Sequence, residues 1–234
     1  TWDVIYVQRI FIHKSALQKV VRKSRLIFDF DDAIFIDNRN NSAALKTADM
    51  VKFADETIVS TDWLNDFCRK QGKTASVIPT PVETDIIKPN VKTENKTLVI
   101  GWIGSAWTTG YLEPIIPALQ QLATDYEFKF LTVGAKAGFT VEGINHTNMP
   151  WEPGIEPKAL TQIDIGIMPL PDDDYARAKG GYKLYLYMAA GLPCIASPVG
   201  INSAIIKENI NGLLAGTESQ WYKALKTLLD KPEL

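Results

Sequence analysis

Three short stretches hold residue types from which chemistry can be built. In "AKGGYK" (178–183), Lys179 and Lys183 stand four residues apart around Gly180 and Gly181, where a helical run begins. If both lysines are helical or nearly so, they share a face and repel one another, and an anion between them removes that cost. The glycines let backbone approach closely, and the first N–H groups of a helix have no intrahelical partner. A plainer reading stays open, in which both lysines reach into water beside an ordinary cap. "GWIGSAWTTG" (101–110) joins a strand to a helix, so amides near Gly104 and Ser105 are placed to meet an anionic group. Its spacing is not GxGxxG, and a turn that only needs glycine explains it equally well. "FDFDDAIF" (28–35) sets Asp29, Asp31 and Asp32 at a strand end. Carboxylates there can hold a metal, bind hydroxyls or act as a base, or they can simply cap a turn.

Other features narrow the field. "PDDDY" (171–175) reads as a solvated acidic loop. His13 and His146 lack metal-ligand spacing, so no metal is expected. There is no nucleophile-elbow or phosphate-loop pattern. A formal net charge of −2 leaves no basic footprint for nucleic acid, so only a local basic pocket can take phosphate. Trp102, Trp107 and Trp151 could face a base or a sugar, with core packing the commoner use of such residues. Cys68 and Cys194, in apolar or amphipathic surroundings, read as reduced thiols of a cytoplasmic protein. No apolar run has the length of a membrane span, and no signal peptide is recognisable.

These residues need elements to position them. Apolar runs rich in β-branched and aromatic residues mark strands at 3–9, 25–32, 56–60, 75–83, 98–105, 128–134, 164–170, 192–198 and 212–216. Helical spacing and caps mark helices at 15–24, 42–54, 61–72, 111–125, 158–162, 182–191, 201–209 and 218–230. Strands alternate with helices in both halves, which implies an α/β chain with parallel sheets covered on both faces. The polar, aperiodic stretch 84–97 separates the halves. The expected organisation is a domain over 1–90, a linker at 91–97 and a second domain over 98–234, both Rossmann-like and facing a cleft. Ligands of such sheets sit at the carboxyl ends of the strands.

The second half resembles the retaining, nucleotide-sugar-dependent glycosyltransferases of family 4, which have the GT-B fold. "IGWIGS", "DIGIMPLPDD" and "KGGYKLYLYMAAGLPCIASPVGINSAIIKENINGLLA" carry the likeness. "ADETIVSTDWLNDF" and "SVIPTPVETDIIKP" resemble the end of the acceptor domain and the hinge. The resemblance implies a hexosyltransferase-type enzyme whose substrate is a UDP- or GDP-linked sugar and whose acceptor is a glycan or a lipid-linked molecule. It implies no metal and no cofactor. By the same resemblance, Gly104, Ser105, Lys179 and Lys183 would face the diphosphate, and Gly180, Gly181 and Tyr182 the sugar or distal phosphate. Gly134, Pro150 and Trp151 would lie near the nucleobase. Asp31, and less firmly Asp29, would stand near the reacting carbon, with Lys183 as the cation of the chemistry.

Two departures accompany the likeness. Relatives often carry a glutamate pair, the second on the helix before the "MAAG"-like turn, where it holds ribose hydroxyls; here Ala178 and Leu186 occupy the nearest positions. The first domain also looks incomplete, with its opening strands expected before Thr1 and a return helix after Leu234. Peripheral membrane contact would then come from segments outside this chain. Two alternatives follow: a glycosyltransferase-like binding module without turnover, and a nucleotide-sugar epimerase. The second wants a histidine in the cleft, and His13 and His146 are poorly placed for it. A nicotinamide-dependent oxidoreductase is weaker again for want of GxGxxG.

Overall fold

A computed structural model describes residues 2–36, 42–89 and 97–231. The chain forms two compact units: Thr1–Thr80 with Asp172–Gly180, and Pro81–Pro171 with Gly181–Leu234. Of the expected linker 91–97, residues 91–96 lie outside the described residues.

In the first unit, β1 (Val4–Gln8), β2 (Arg25–Phe30), β3 (Glu56–Val59) and β4 (Ser76–Val77) form a sheet in that order, every pairing parallel. α1 (Lys14–Val20), α2 (Ala43–Phe53) and α3 (Asp62–Lys70) connect them. Alternate β2 residues Leu26, Phe28 and Phe30 are fully buried and pack with Met50, Leu64 and Cys68. α1 is capped by His13, whose Nδ1 accepts the Ser15 N–H at 3.4 Å. Thr61 caps α3 by accepting the Leu64 N–H at 3.3 Å. β4 is far shorter than the expected 75–83. Pro79 and Pro81 remove two amide donors there.

The second unit holds β5 (Leu98–Ile103), β6 (Phe128–Val133), β7 (Asn145–Met149), β8 (Ile165–Met168), β9 (Cys194–Ala196) and β10 (Gly212–Leu214). Their order is β10-β9-β8-β5-β6-β7, again all parallel. β7, "NHTNM", was not expected: it is polar and lies at the sheet edge, so it has no continuous apolar run to betray it. The segment expected as a helix from 111 is a 3-10 helix, Ala106–Ile115, running into α4 (Ile116–Leu122). Pro114 and Pro117 lack the donors that a regular α-helical start over this stretch would use. α5 (Glu156–Leu160) precedes β8.

After β8 the chain joins the first unit as α6 (Asp174–Arg177). Ala178 is fully buried in that unit's core, and the Thr61 hydroxyl donates to its carbonyl at 3.4 Å. α7 (Tyr182–Ala189), α8 (Asn202–Ile205) and α9 (Glu218–Asp230) complete the second unit. Among the described residues no helix is long and apolar enough to cross a membrane.

Candidate functional site

Each sheet gathers its sequence candidates at the carboxyl ends of its strands, the edge where parallel sheets hold ligands. In the first unit Arg9 directly follows β1, Asp31 follows β2 and Ser60 follows β3. The Arg9 guanidinium lies 3.4 Å from Asp31 and 3.3 Å from Asp32. Asp32 also meets the Lys179 ammonium at 3.5 Å, a pair with side chains only 22% and 16% exposed. The same ammonium stands 4.5 Å above the Tyr175 ring. Ser60 donates to the Asp31 carbonyl at 2.9 Å. A Cβ on Gly180 would meet the Ser60 side chain at 3.1 Å, so glycine fits the chain closely there. Asp29 instead faces the outer strand, accepting from Tyr6 and from Gln8.

Burial raises the Asp31 pKa above its ordinary range; Arg9 opposes that rise, while Asp32 and Asp29 add to it. Burial also raises Tyr175, with Asp32 adding to the effect. The Tyr6 phenol is pushed up to about 12, first by its bond to Asp29.

The second unit's edge is built mainly from backbone. Gly104 follows β5, Gly134 follows β6, and Pro150 with Trp151 follows β7. The Gly104 amide donates to Val133 and the Gly134 amide to Met149. Gly134 has φ +76, and a Cβ on it would lie 2.4 Å from the Gly104 carbonyl oxygen and 3.0 Å from Trp151 Cβ. A Cβ on Gly104 would lie 2.1 Å from the buried Trp102 ring, so this glycine has a packing reason of its own. The Ser105 amide donates to the Thr108 hydroxyl at 3.3 Å. Lys183 holds its ammonium 5.4 Å from the Trp102 ring centroid. Gly181 caps α7 in the left-handed region at φ +71, and a Cβ there would meet Ile205 at 2.4 Å. Tyr182 opens α7 and is 37% exposed, its pKa raised first by burial and then by Glu156 and Glu83.

Further along α7, the buried Tyr187 hydroxyl accepts the Ile103 N–H at 3.1 Å and donates to the Ile167 carbonyl at 3.3 Å. Its ring fills the space a Cβ on Gly166 would take. The helix that carries Lys183 is thereby tied to β5 and β8.

The structure thus brings Gly104, Gly134, Trp151 and the Trp102–Lys183 pair into one neighbourhood of the second unit. It does not put Lys179 and Lys183 on one helix face. The left-handed Gly181 starts α7 after Lys179, and the two lysines belong to different units. Leu186 and Ala178 are both buried, at 1% and 0% exposure. His13 caps α1, and His146 bonds Thr132 at 2.9 Å with its pKa lowered by burial. Cys68 and Cys194 are free and buried, their thiols pushed up to about 11 and about 12 by desolvation. Among the described residues no cluster of three or more His, Cys, Asp or Glu is arranged to hold a metal. Arg9 and Tyr187 escaped the sequence reading. Arg9 had one available signal: it follows a strand as Asp31 does.

Comparison with known proteins bears on this edge. The family described as "Glycosyl transferases group 1" matches residues 97–231. Comparison with curated proteins returns no match. Among solved structures, the Anabaena protein Alr3699/HepE in complex with UDP-glucose is similar at a TM-score of 0.72 and 14% identity. That match covers 99% of this chain and 70% of the other. A glycosyltransferase from Rickettsia africae ESF-5 matches at 0.69 and 16% identity, over 99% and 66%. The apo lipopolysaccharide outer core galactosyltransferase WaaB matches at 0.63 and 15%, over 97% and 66%. These likenesses establish the GT-B architecture of two parallel-sheet α/β domains.

Proposed function

The chain belongs to the glycosyl transferases group 1 family, and from that premise we propose that it moves a hexosyl group from a nucleoside-diphosphate sugar to a hydroxyl of a glycan or lipid-linked acceptor. The observation that carries this reading is the second unit's edge, where Gly104, Gly134 and Trp151 crowd together and Lys183 lies beside them at the start of α7. In the transfer, the bond between the anomeric carbon and the diphosphate oxygen breaks and the diphosphate leaves with the electron pair, while the acceptor oxygen bonds to that carbon and its proton passes to the departing diphosphate. Its growing negative charge is met by the Lys183 ammonium and the positive end of α7, electrostatic stabilisation that needs no metal ion. Lys179, engaged with Asp32, has the weaker claim as a diphosphate contact.

Gly134, Pro150 and Trp151 would border the nucleobase, with the half-exposed Trp151 offering its ring. The Anabaena protein, seen with UDP-glucose, favours uridine as the base. Retention at the anomeric carbon rests on the resemblance to family 4. On the first unit, Asp31 would receive the acceptor hydroxyl.

One observation favours a second reading, a binding module without turnover. Leu186 and Ala178, the positions nearest to those where relatives hold ribose hydroxyls, are buried and apolar.

Titration with UDP, GDP and ADP under thermal unfolding tests the donor site, because a ligand that binds only the native state must stabilise it. The expected gain with the right nucleotide is about 2.7 kcal/mol at a hundred times its Kd. No shift with any of the three overturns donor binding. A shift without sugar transfer selects the binding module.

A further inference from the structure

The Asp31 carboxylate is set in an unusual way. Its Oδ1 is buried and accepts no hydrogen bond among the described residues, although Arg9 Nη1 lies 3.4 Å away. Buried polar oxygens nearly always have a partner, and Arg9 is a donor within reach of this one. Arg9 is itself strained. Its φ is +56, in the left-handed region that side-chain-bearing residues seldom enter. Such strain persists where the surroundings over-determine it, commonly at functional sites. Here the Arg9 N–H is held by the Asp29 carbonyl at 2.9 Å, and its guanidinium spans Asp31 and Asp32.

We propose that Arg9 is the positioning residue of this centre: it lies against the buried Oδ1, holds the Asp31 carboxylate in place and ionised, and leaves the exposed part of that side chain to the acceptor hydroxyl. The inference rests on the reading of Asp31 as the acceptor-side group. Among the described residues, four charged or titratable groups face Asp31. Arg9 faces it from the end of β1, Asp29 and Asp32 from its own segment, and Tyr175 from α6. Lys179 is spent on Asp32. Of these, among the described residues, Arg9 is the charged side chain that opposes the burial of the carboxylate; the neighbouring carboxylates work with burial against ionisation. Once ionised, the carboxylate can accept a hydrogen bond from the acceptor hydroxyl.

The test is a carboxyl-carbon NMR titration of Asp31 in the intact chain, as wild type, Arg9→Lys, Arg9→Met and Arg9→Gly. Glycine suits the left-handed backbone, so it removes the charge without the strain and covers the case in which Arg9→Met fails to fold. The expected result is a midpoint moved to higher pH in Arg9→Met and Arg9→Gly, and near wild type in Arg9→Lys. The acidic limb of kcat/KM with a UDP-sugar should move the same way, with stabilisation by UDP unchanged. An Asp31 midpoint that stays put in folded Arg9→Gly overturns the proposal. If Asp31→Asn transfers sugar at the wild-type rate, the acceptor reading fails and the role of Arg9 falls with it. Loss of UDP stabilisation in wild type strikes the donor reading alone.

Discussion

The two sheets end in opposite materials. At the carboxyl edge of the first, full charges do the work: Arg9, Asp31, Asp32 and Lys179 bind one another across distances of 3.3–3.5 Å. At the edge of the second, glycines at 104 and 134 bring backbone together, Gly181 leaves room for Ile205, and Lys183 sits against a ring. A charge cluster responds to pH and to substitution of one charge by another. A glycine-built edge responds to volume and backbone dihedral, and hardly to pH. The two edges can therefore be probed separately by choosing the perturbation.

The largest expected effect sharpens the backbone side. Gly134→Ala forces a Cβ to within 2.4 Å of a carbonyl oxygen at φ +76. Left-handed strain and overpacking together should cost about 2–5 kcal/mol in stability, read from denaturant midpoints, with UDP stabilisation lost as well. A mild effect, below about 1 kcal/mol, would show that this edge yields easily and break the contrast.

Lys183→Ala should weaken UDP binding by about 1.5–3 kcal/mol, roughly 10- to 150-fold, as befits a charge-assisted contact. Isothermal calorimetry gives the number, and intact affinity would remove Lys183 from the diphosphate.

The smallest effect separates the units by pH. Asp31 has its native pKa raised above the ordinary 3.8, chiefly by burial. The native state then binds more protons than the unfolded one, so stability is full below 3.8 and declines as pH rises through the native value. Asp31→Asn should therefore raise Tm at neutral pH, by an amount that shrinks on acidification, while lowering transfer. His146 has the opposite sign. Its native pKa lies below 6.5, so the second unit loses stability as pH falls past 6.5. A Tm for Asp31→Asn that is lower than wild type at pH 7 would mean the ion pair with Arg9 outweighs desolvation.

Legibility differed between elements for physical reasons. Helix 218–230 was read to the residue, because Thr217 and Gln220 form a capping box ahead of an amphipathic run. β7 was missed because an edge strand needs little apolar content. The 3-10 helix Ala106–Ile115 was misread because helical spacing does not distinguish how a proline-bearing run is wound. Of the site, Gly104 stood out as a turn residue and Gly134 came only with the family likeness; Trp102 as the reason for Gly104 did not show. The likeness to glycosyltransferases carried the functional reading further than residue physics could, and the match over residues 97–231 upholds its coarse form.

The amino-acid sequence by itself determined the alternation of strands and helices, a parallel-sheet α/β class in both halves and the positions of glycines and carboxylates near strand ends. These follow from periodicity and turn chemistry, which are local. Only the tertiary structure decided which side chains meet. Arg9 and Asp31 are 22 residues apart, and Lys179 and Asp32 are 147 apart; each pair forms because parallel strands, or a returning segment, end at the same edge. It also placed Lys179 with the first unit and Lys183 with the second, four residues apart in a stretch that reads as a single motif. Spacing along a chain reports on one helix or strand, and a left-handed glycine between the two lysines is enough to end its authority.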